Sequence, residues 1–242
     1  MPQPRIALVT GANKGIGFET ARQIAATGAT VLLGARNLQL GQQAAATLVG
    51  EGLDVRFLHL DTTDASTIAT AAATIEADFG HLDILVNNAG IIVPGDGPVA
   101  TTPIDTLEPT LRTNFIGSVA VTQALLPLLR KAPHASIVNV SSGLGSLAQA
   151  GDPNYFAVNN KFLAYAASKA ALNMFTVHLA WELRDTAIKV NSSDPGYTAT
   201  DLNAHHGTQT IPEGAAETIR LALLPANGPT GTYSDTAGPV PW

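Results

Sequence analysis

The stretch Arg5-Ile6-Ala7-Leu8-Val9-Thr10-Gly11-Ala12-Asn13-Lys14-Gly15-Ile16-Gly17 decides the fold. Ile6 to Val9 is a short apolar run that ends at Thr10 and a glycine, which reads as a buried strand. Helical spacing then runs from Ile16 through Ile24 to Gly28. Between them stand Gly11, Gly15 and Gly17. Glycine tightens such a turn and lets main chain approach a pyrophosphate, while the free amides of the helix start face the anion. The spacing is GxxxGxG rather than GxGxxG. A tight βα turn could need glycine for its backbone angles alone, but the strand–turn–helix setting favours a dinucleotide cradle.

Working outward, strands and helices alternate. Thr30–Ala35, Val55–Leu60, Leu82–Asn87, Ala135–Val140, Ala187–Asn191 and Gly231–Ser234 read as further strands. Asn37 and Asp64 are placed to cap helices that run to about Gly50 and to Phe79, the second stopped by Gly80. Ile91 to Pro103 is rich in glycine and proline and reads as a loop. Pro103 fits the first turn of a long helix to about Lys131. Gly143 to Asn160 reads as irregular, Lys161 to Arg184 as helix, and Pro212 to Leu224 as the last helix. The strands are continuously apolar, as expected when both faces are covered. The pattern predicts an α/β chain: a Rossmann-type, doubly wound parallel sheet of about seven strands with helices on both faces. No linker divides residues 1–242, so one domain is expected, its pocket built from loops at the strand carboxyl ends.

Bulk properties narrow the function. The chain has 242 residues, 45% of them hydrophobic, enough for a two-sided core. A net charge of −6 argues against nucleic acid or an acidic membrane as partner. With no cysteine, disulfides, thiol nucleophiles and thiolate metal sites are excluded. Pro2 and Pro4 flank polar residues, so no signal peptide is expected, and no window approaches the ~18 apolar residues of a membrane span. A cytoplasmic protein fits these features.

Two positions refine the chemistry. An acid at the end of the second strand would hold the ribose 2′-OH of NAD, whereas an arginine accommodates the 2′-phosphate of NADP. Here the strand ends in Ala35-Arg36, and Lys14 lies in the glycine turn, so NADP is expected. In Ala164-Tyr165-Ala166-Ala167-Ser168-Lys169, the phenol and the ammonium are four apart and share a helix face. Hydride addition to a carbonyl leaves an alkoxide that needs a proton. A free phenol titrates near 10, and a neighbouring ammonium is expected to bring it down.

Thr10 to Gly17, Asn87-Asn88-Ala89-Gly90, Asn114, Ser141-Ser142, Tyr165-xxx-Lys169 and Pro195-Gly196 occur in an order that resembles the short-chain dehydrogenase/reductase family across the whole chain. The Gly-Ala-Asn-Lys-Gly opening is most similar to NADPH-dependent carbonyl reductases. The resemblance implies roles. Gly11, Asn13, Lys14, Gly15, Ile16 and Gly17 would hold the cofactor's phosphates, with Arg36 at the 2′-phosphate. Asp61 and the main chain of Thr62 would contact adenine. Asn88, Ala89 and Gly90 would line the adenosine ribose and steady the sheet. Asn114 would hold a water in a proton relay. Ser142, alone or with Ser141, would bond the substrate carbonyl. Tyr165 would be the acid and base, and Lys169 would bind the nicotinamide ribose and lower the tyrosine pKa. Pro195, Gly196, Thr198 and Thr200 would fix the nicotinamide edge.

The resemblance implies NADPH-dependent reduction of ketones or aldehydes to alcohols. An NAD-dependent alcohol dehydrogenase and a non-catalytic NADP-binding regulator are the alternatives, the latter usually marked by loss of Tyr165 or Lys169. Twenty-three positions separate Ser142 from Tyr165, a longer gap than in most members. Its apolar residues Leu144, Leu147, Tyr155, Phe156 and Phe162 are expected to line the pocket, and the resemblance to carbonyl reductases that act as monomers and carry a longer insertion here implies a monomer or dimer rather than a tetramer. The short segment between Gly196 and Pro212 suggests a small lid and an open cleft that accepts bulky apolar ketones. His205-His206 lacks a third ligand at metal spacing. Asp152 and Asp201 read as loop structure. Ser142, His178 and Asp194 lack the G-x-S-x-G elbow of a hydrolase.

Overall fold

The computed structural model describes residues 4–157 and 159–242; Pro2, part of the N-terminal reading, lies outside them. Chain order is β1 (Ile6–Thr10), α1 (Gly15–Ala26), β2 (Thr30–Ala35), α2 (Leu38–Gly50), β3 (Val55–His59), α3 (Ala65–Phe79), β4 (Ile84–Asn87), α4 (Leu107–Leu111), α5 (Gly117–Leu129), β5 (Ala135–Val140), α6 (Leu147–Ala150), α7 (Leu163–Glu182), β6 (Ile188–Ser193), α8 (Ile211–Ala222), β7 (Tyr233–Asp235) and β8 (Gly238–Pro239).

One sheet carries the strands in the order β3-β2-β1-β4-β5-β6-β7-β8. Every pairing is parallel except the last, where β8 runs antiparallel to β7. The strand order reverses between β1 and β4, the place where open α/β sheets leave a crevice for a ligand.

Side chains alternate across β1. Leu8 faces one layer with Ile75 of α3 and Leu125 of α5, while Ala7 and Val9 face the other with Ile24 of α1 and Leu221 of α8. β1 and β2 are buried along their length, as a two-sided core requires. β3 departs from the continuous apolar expectation: it is the edge strand, with Arg56 and His59 exposed.

Both expected caps form. The Asn37 side chain accepts from the Leu40 amide at 2.9 Å and Asp64 from the Ser66 amide at 2.8 Å, and Gly80 ends α3 at φ 75°. The long helix expected from Pro103 to Lys131 is not continuous. A 3₁₀ turn at Ile104–Thr106 leads into α4, a π turn occupies Arg112–Ile116, and α5 follows. The irregular reading of residues 143–160 misses a 3₁₀ turn at Gly143–Gly145 and the short α6. The eighth strand was also unforeseen. Asp235 accepts hydrogen bonds from the Ala237 and Gly238 amides, at 2.7 and 3.0 Å, and so reverses the chain into β8.

No helix among the described residues is long and apolar enough to cross a membrane.

Candidate active site

The glycine turn, the Asn88-Ala89-Gly90 segment and the loop after β6 frame a groove of about 430 Å³. Close main-chain approach builds its floor. A Cβ on Gly17 would fall 2.3 Å from Asn88 Nδ2, and one on Gly11 would fall 2.9 Å from Ala89 Cα, so neither position tolerates a side chain. Gly11 and Gly15 also adopt left-handed backbone, at φ 62° and 59°. Asn88 donates to the Thr10 and Gly11 carbonyls at 2.9 and 3.2 Å, and Thr10 Oγ1 accepts the Asn88 and Ala89 amides, both at 3.0 Å. These bonds fasten the ends of β1 and β4 to each other.

The groove is lined by Gly11, Asn13, Lys14, Gly15, Ile16 and Gly17, then by Arg36, Asp61, Thr62, Asn88, Ala89, Gly90 and Thr200. Thirteen of the residues expected to hold the dinucleotide therefore share one surface. Asp61 holds its own turn by accepting from the Thr63 amide and hydroxyl. The cationic pair expected at the 2′-phosphate is divided. Lys14 bonds Asp201 across the groove at 2.5 Å, and His205 meets the same carboxylate at 2.8 Å. Asp201, read from sequence as loop structure, is thus a partner of the glycine turn. Its pKa is lowered, chiefly by the hydrogen bond from Lys14.

A second cavity of about 630 Å³ opens beside the groove. Ile16, Asn88, Gly90, Ile92, Thr200 and Leu202 line both, so the two spaces meet. Ser142, Tyr165 and Lys169 face this second cavity together with Pro195, Gly196 and Thr198. Leu144, Tyr155, Phe156 and Phe162 also line it, so the long segment between Ser142 and Tyr165 does supply pocket wall. Leu147 instead borders an adjoining apolar hollow of about 320 Å³.

Tyr165 and Lys169 project from α7 and are both buried. The ammonium donates to the Val140 carbonyl at 2.7 Å and lies 5.5 Å from the phenol ring centroid. α7 reaches this position because Gly145 has no side chain; a Cβ there would lie 2.6 Å from Lys169 Cβ. Burial pushes the Tyr165 phenol up to about 12, partly offset by the neighbouring Ser142 hydroxyl. Burial also pulls Lys169 down to about 8. The expected depression of the tyrosine by the lysine is therefore corrected: desolvation penalises the phenolate and the ammonium alike.

Of the serine pair, Ser142 is the one beside the phenol, and it also accepts from the Leu144 amide at 3.3 Å. Ser141 Oγ is buried without a hydrogen-bond partner. Asn114 sits in the π turn, fully buried. Its Oδ1 accepts the Ile91 amide at 2.8 Å, and its Nδ2 donates to the Ile91 carbonyl and to Ser168 Oγ, both at 3.0 Å. The carboxamide thus props the Gly90-Ile91 wall against α7. A Cβ on Gly90 would stand 3.6 Å from both Asn114 Oδ1 and Lys169 Nζ, so both atoms border Gly90.

Other contributors were not visible in the sequence reading. Asp96, in the glycine- and proline-rich loop, bonds the first amides of α7, including that of Tyr165. Asn87 steadies the sheet as well, deeper than the Asn88 and Ala89 bonds at the strand ends. It donates to Thr122 and Asn139, Asn139 donates to Thr176, and Thr176 of α7 meets Ser192 on β6. His178 lies outside the cavity that holds Ser142 and Asp194. His206 lines the cavity mouth, and among the described residues no three His, Cys, Asp or Glu side chains converge as metal ligands.

The family model for short chain dehydrogenase matches residues 5–210. The chain belongs to that family. This short-chain dehydrogenase is 34% identical to (-)-isopiperitenone reductase of Mentha piperita, with 95% of each chain covered. It is also 34% identical to the NADPH carbonyl reductase 3 of Mus musculus, with 91% of each covered. Among solved structures, the NADPH-bound carbonyl reductase from chicken fatty liver superposes with a TM-score of 0.86 at 27% identity, covering 99% of this chain and 100% of that one. The chain is accordingly an oxidoreductase with the family's fold.

Proposed function

We propose that this short-chain dehydrogenase reduces ketones or aldehydes to alcohols with NADPH, reversibly, the whole chain acting as one domain. The observation that carries the reading is the junction of two spaces: a glycine-floored groove ending at Arg36 and a cavity holding Tyr165, Lys169 and Ser142. The groove suits a dinucleotide phosphate, since a Cβ at Gly11 or Gly17 would collide with main chain or side chain. Arg36 presents a planar fork of donors to a 2′-phosphate. Lys14 joins it by exchanging the Asp201 carboxylate for the phosphate. NADPH supplies the hydride when bound.

The remaining chemistry belongs to the protein. Ser142 and Tyr165 donate to the carbonyl oxygen and polarise it. A phenol held up at about 12 stays protonated at neutral pH, the state an acid needs when the alkoxide forms. Lys169 fixes the ribose hydroxyls and returns a proton to the phenol. Asn114 holds the far wall of that route and, through its second Oδ1 lone pair, a relay water. Few charges line the wall formed by Leu144, Phe156 and Phe162, which favours a bulky apolar carbonyl compound over a phosphorylated one.

The test is Tyr165→Phe, followed by NADPH consumption with aryl ketones and keto esters. NADPH binding should persist while turnover falls by ~10²–10⁴. Undiminished turnover would remove Tyr165 from the acid role.

A further inference from the structure

The mechanism above leaves the Asp194 carboxylate without a task. Asp194 follows β6 and precedes Pro195-Gly196, and it lines the same cavity as Ser142, Tyr165 and Lys169. Its Oδ1 accepts the Gly196 amide at 2.9 Å. The amide of Gly143, the neighbour of Ser142, helps to favour the charged form of the carboxylate. A Cβ on Gly143 would lie 2.9 Å from Asp194 Oδ2 and 2.2 Å from the Tyr155 hydroxyl, so the serine turn closes onto this carboxylate because residue 143 has no side chain. The Asp194 amide donates to the Ser234 carbonyl at 2.9 Å, and the Ser141 amide to the Ser193 carbonyl at 2.8 Å. The sheet, rather than a loop, therefore sets where the carboxylate stands. One side chain links the turn that carries Ser142 to the turn that carries Gly196.

We propose that Asp194 is a positioning residue of the reaction, fixing the serine turn against the Pro195-Gly196 turn from inside the cavity it shares with Tyr165 and Lys169. The inference rests on the reductase reading, in which Tyr165 exchanges the proton. Lys169 and Tyr165 face Asp194 from α7, Tyr155 from the segment after α6, and Asp235 and Tyr233 from β7. The Asp194 charge acts on Tyr165 and Lys169 in one direction, raising the proton affinity of both. Burial opposes ionisation of Asp194, whereas the two amides and Lys169 favour it. A carboxylate that only braced the main chain would leave the proton affinity of the phenol where it is.

Alcohol oxidation with NADP⁺ reads this directly, because its rate rises with pH as Tyr165 becomes a base. The pH dependence of kcat/KM is measured for the wild type, Asp194→Asn, Asp194→Ser and Tyr165→Phe, with circular dichroism and melting temperature as folding controls. In both Asp194 variants the rising limb should move to lower pH by about half a unit or more, roughly a threefold gain in the reactive fraction below the midpoint. KM for the alcohol should rise as the two turns lose their link. A limb that vanishes in Tyr165→Phe yet stays in place in folded Asp194 variants overturns the assignment to Asp194 alone. A limb that survives in Tyr165→Phe removes the proton-transfer reading and this inference with it. Failure of both Asp194 variants to fold makes the residue purely structural and also overturns the assignment.

Discussion

Both oxygens of the Asp96 carboxylate hold the start of the Tyr165 helix: Oδ1 accepts the Ala164 amide and Oδ2 the Tyr165 amide, each at 2.9 Å. Phe162, at the N-cap position, offers no side-chain acceptor, so a residue 69 positions away from Tyr165 does the capping. The Leu163 amide adds a bond to the Gly97 carbonyl at 3.0 Å, which pins the loop to the helix. This loop thereby fixes where the phenol stands. Asp96→Ala should lower stability by about 1–2 kcal/mol, the usual cost of a lost cap, and lower kcat more than it raises KM for NADPH. Urea unfolding together with steady-state kinetics checks both, and an unchanged kcat would confine Asp96 to stability.

How far the sequence reveals this arrangement depends on how local each signal is. The glycine turn, the caps at Asn37 and Asp64 and the apolar strands are short-range patterns, and they can be read directly. Asp96 could not be paired with α7, because a cap supplied from a distant loop has no spacing to recognise. The π turn at Arg112–Ile116 hid for a related reason: one wider turn leaves hydrophobic periodicity almost intact while shifting the face that presents Asn114. The β7–β8 reversal had a visible sign in Asp235-Thr236-Ala237-Gly238, a side-chain acceptor followed by glycine, although two residues of strand give no periodicity. The raised phenol was illegible in principle. Spacing shows that an ammonium is near Tyr165, but only packing shows that both groups are desolvated.

Arg36 is the side chain placed to separate the two nicotinamide cofactors. It is exposed at the end of β2 and lines the groove, while Lys14 is engaged with Asp201. A charge-assisted bond of this kind contributes about 1.5–3 kcal/mol. Arg36→Asp should therefore lower kcat/KM for NADPH by roughly 10–100-fold and raise it for NADH, since the new carboxylate repels a 2′-phosphate and accepts from a free ribose hydroxyl. Parallel kinetics with the two cofactors decide it. An unchanged preference would assign the 2′ site to other residues.

Asn139 connects two elements that otherwise touch only through the sheet. It is fully buried, accepts from Asn87 at 2.8 Å and donates to Thr176 at 2.8 Å. Asn139→Leu would leave one Asn87 amide hydrogen on β4 without an acceptor in a dry interior, while the Thr176 hydroxyl keeps its bonds to the Leu172 carbonyl and Ser192. An orphaned group costs about 1–3 kcal/mol, so a loss of about that size is expected from the urea midpoint. The double change Asn139→Leu with Asn87→Leu should recover part of that loss, because the Asn87 donor is then gone. Strict additivity of the two changes would show that they do not share a network.

Lys169 gives the fold a stability signature in pH. Its pKa falls from 10.5 to about 8 in the folded chain because burial disfavours the ammonium. Between those values the unfolded chain binds more protons than the native one at this residue, so stability rises with pH across that window. Below about pH 8 both states are protonated, and the native state carries the whole penalty of a buried charge. A shift of this size corresponds to about 2–4 kcal/mol. Tyr165 works in the opposite sense, but only from its unfolded value near 10 up to about 12, where the unfolded chain releases its proton first. Lys169→Met removes the lysine contribution and leaves the Val140 carbonyl without its donor. The variant should be inactive, and wild-type stability measured against it should climb as pH goes from about 8 to 10. Parallel stability curves for the two proteins over that interval would show that the Lys169 ammonium is not disfavoured by burial.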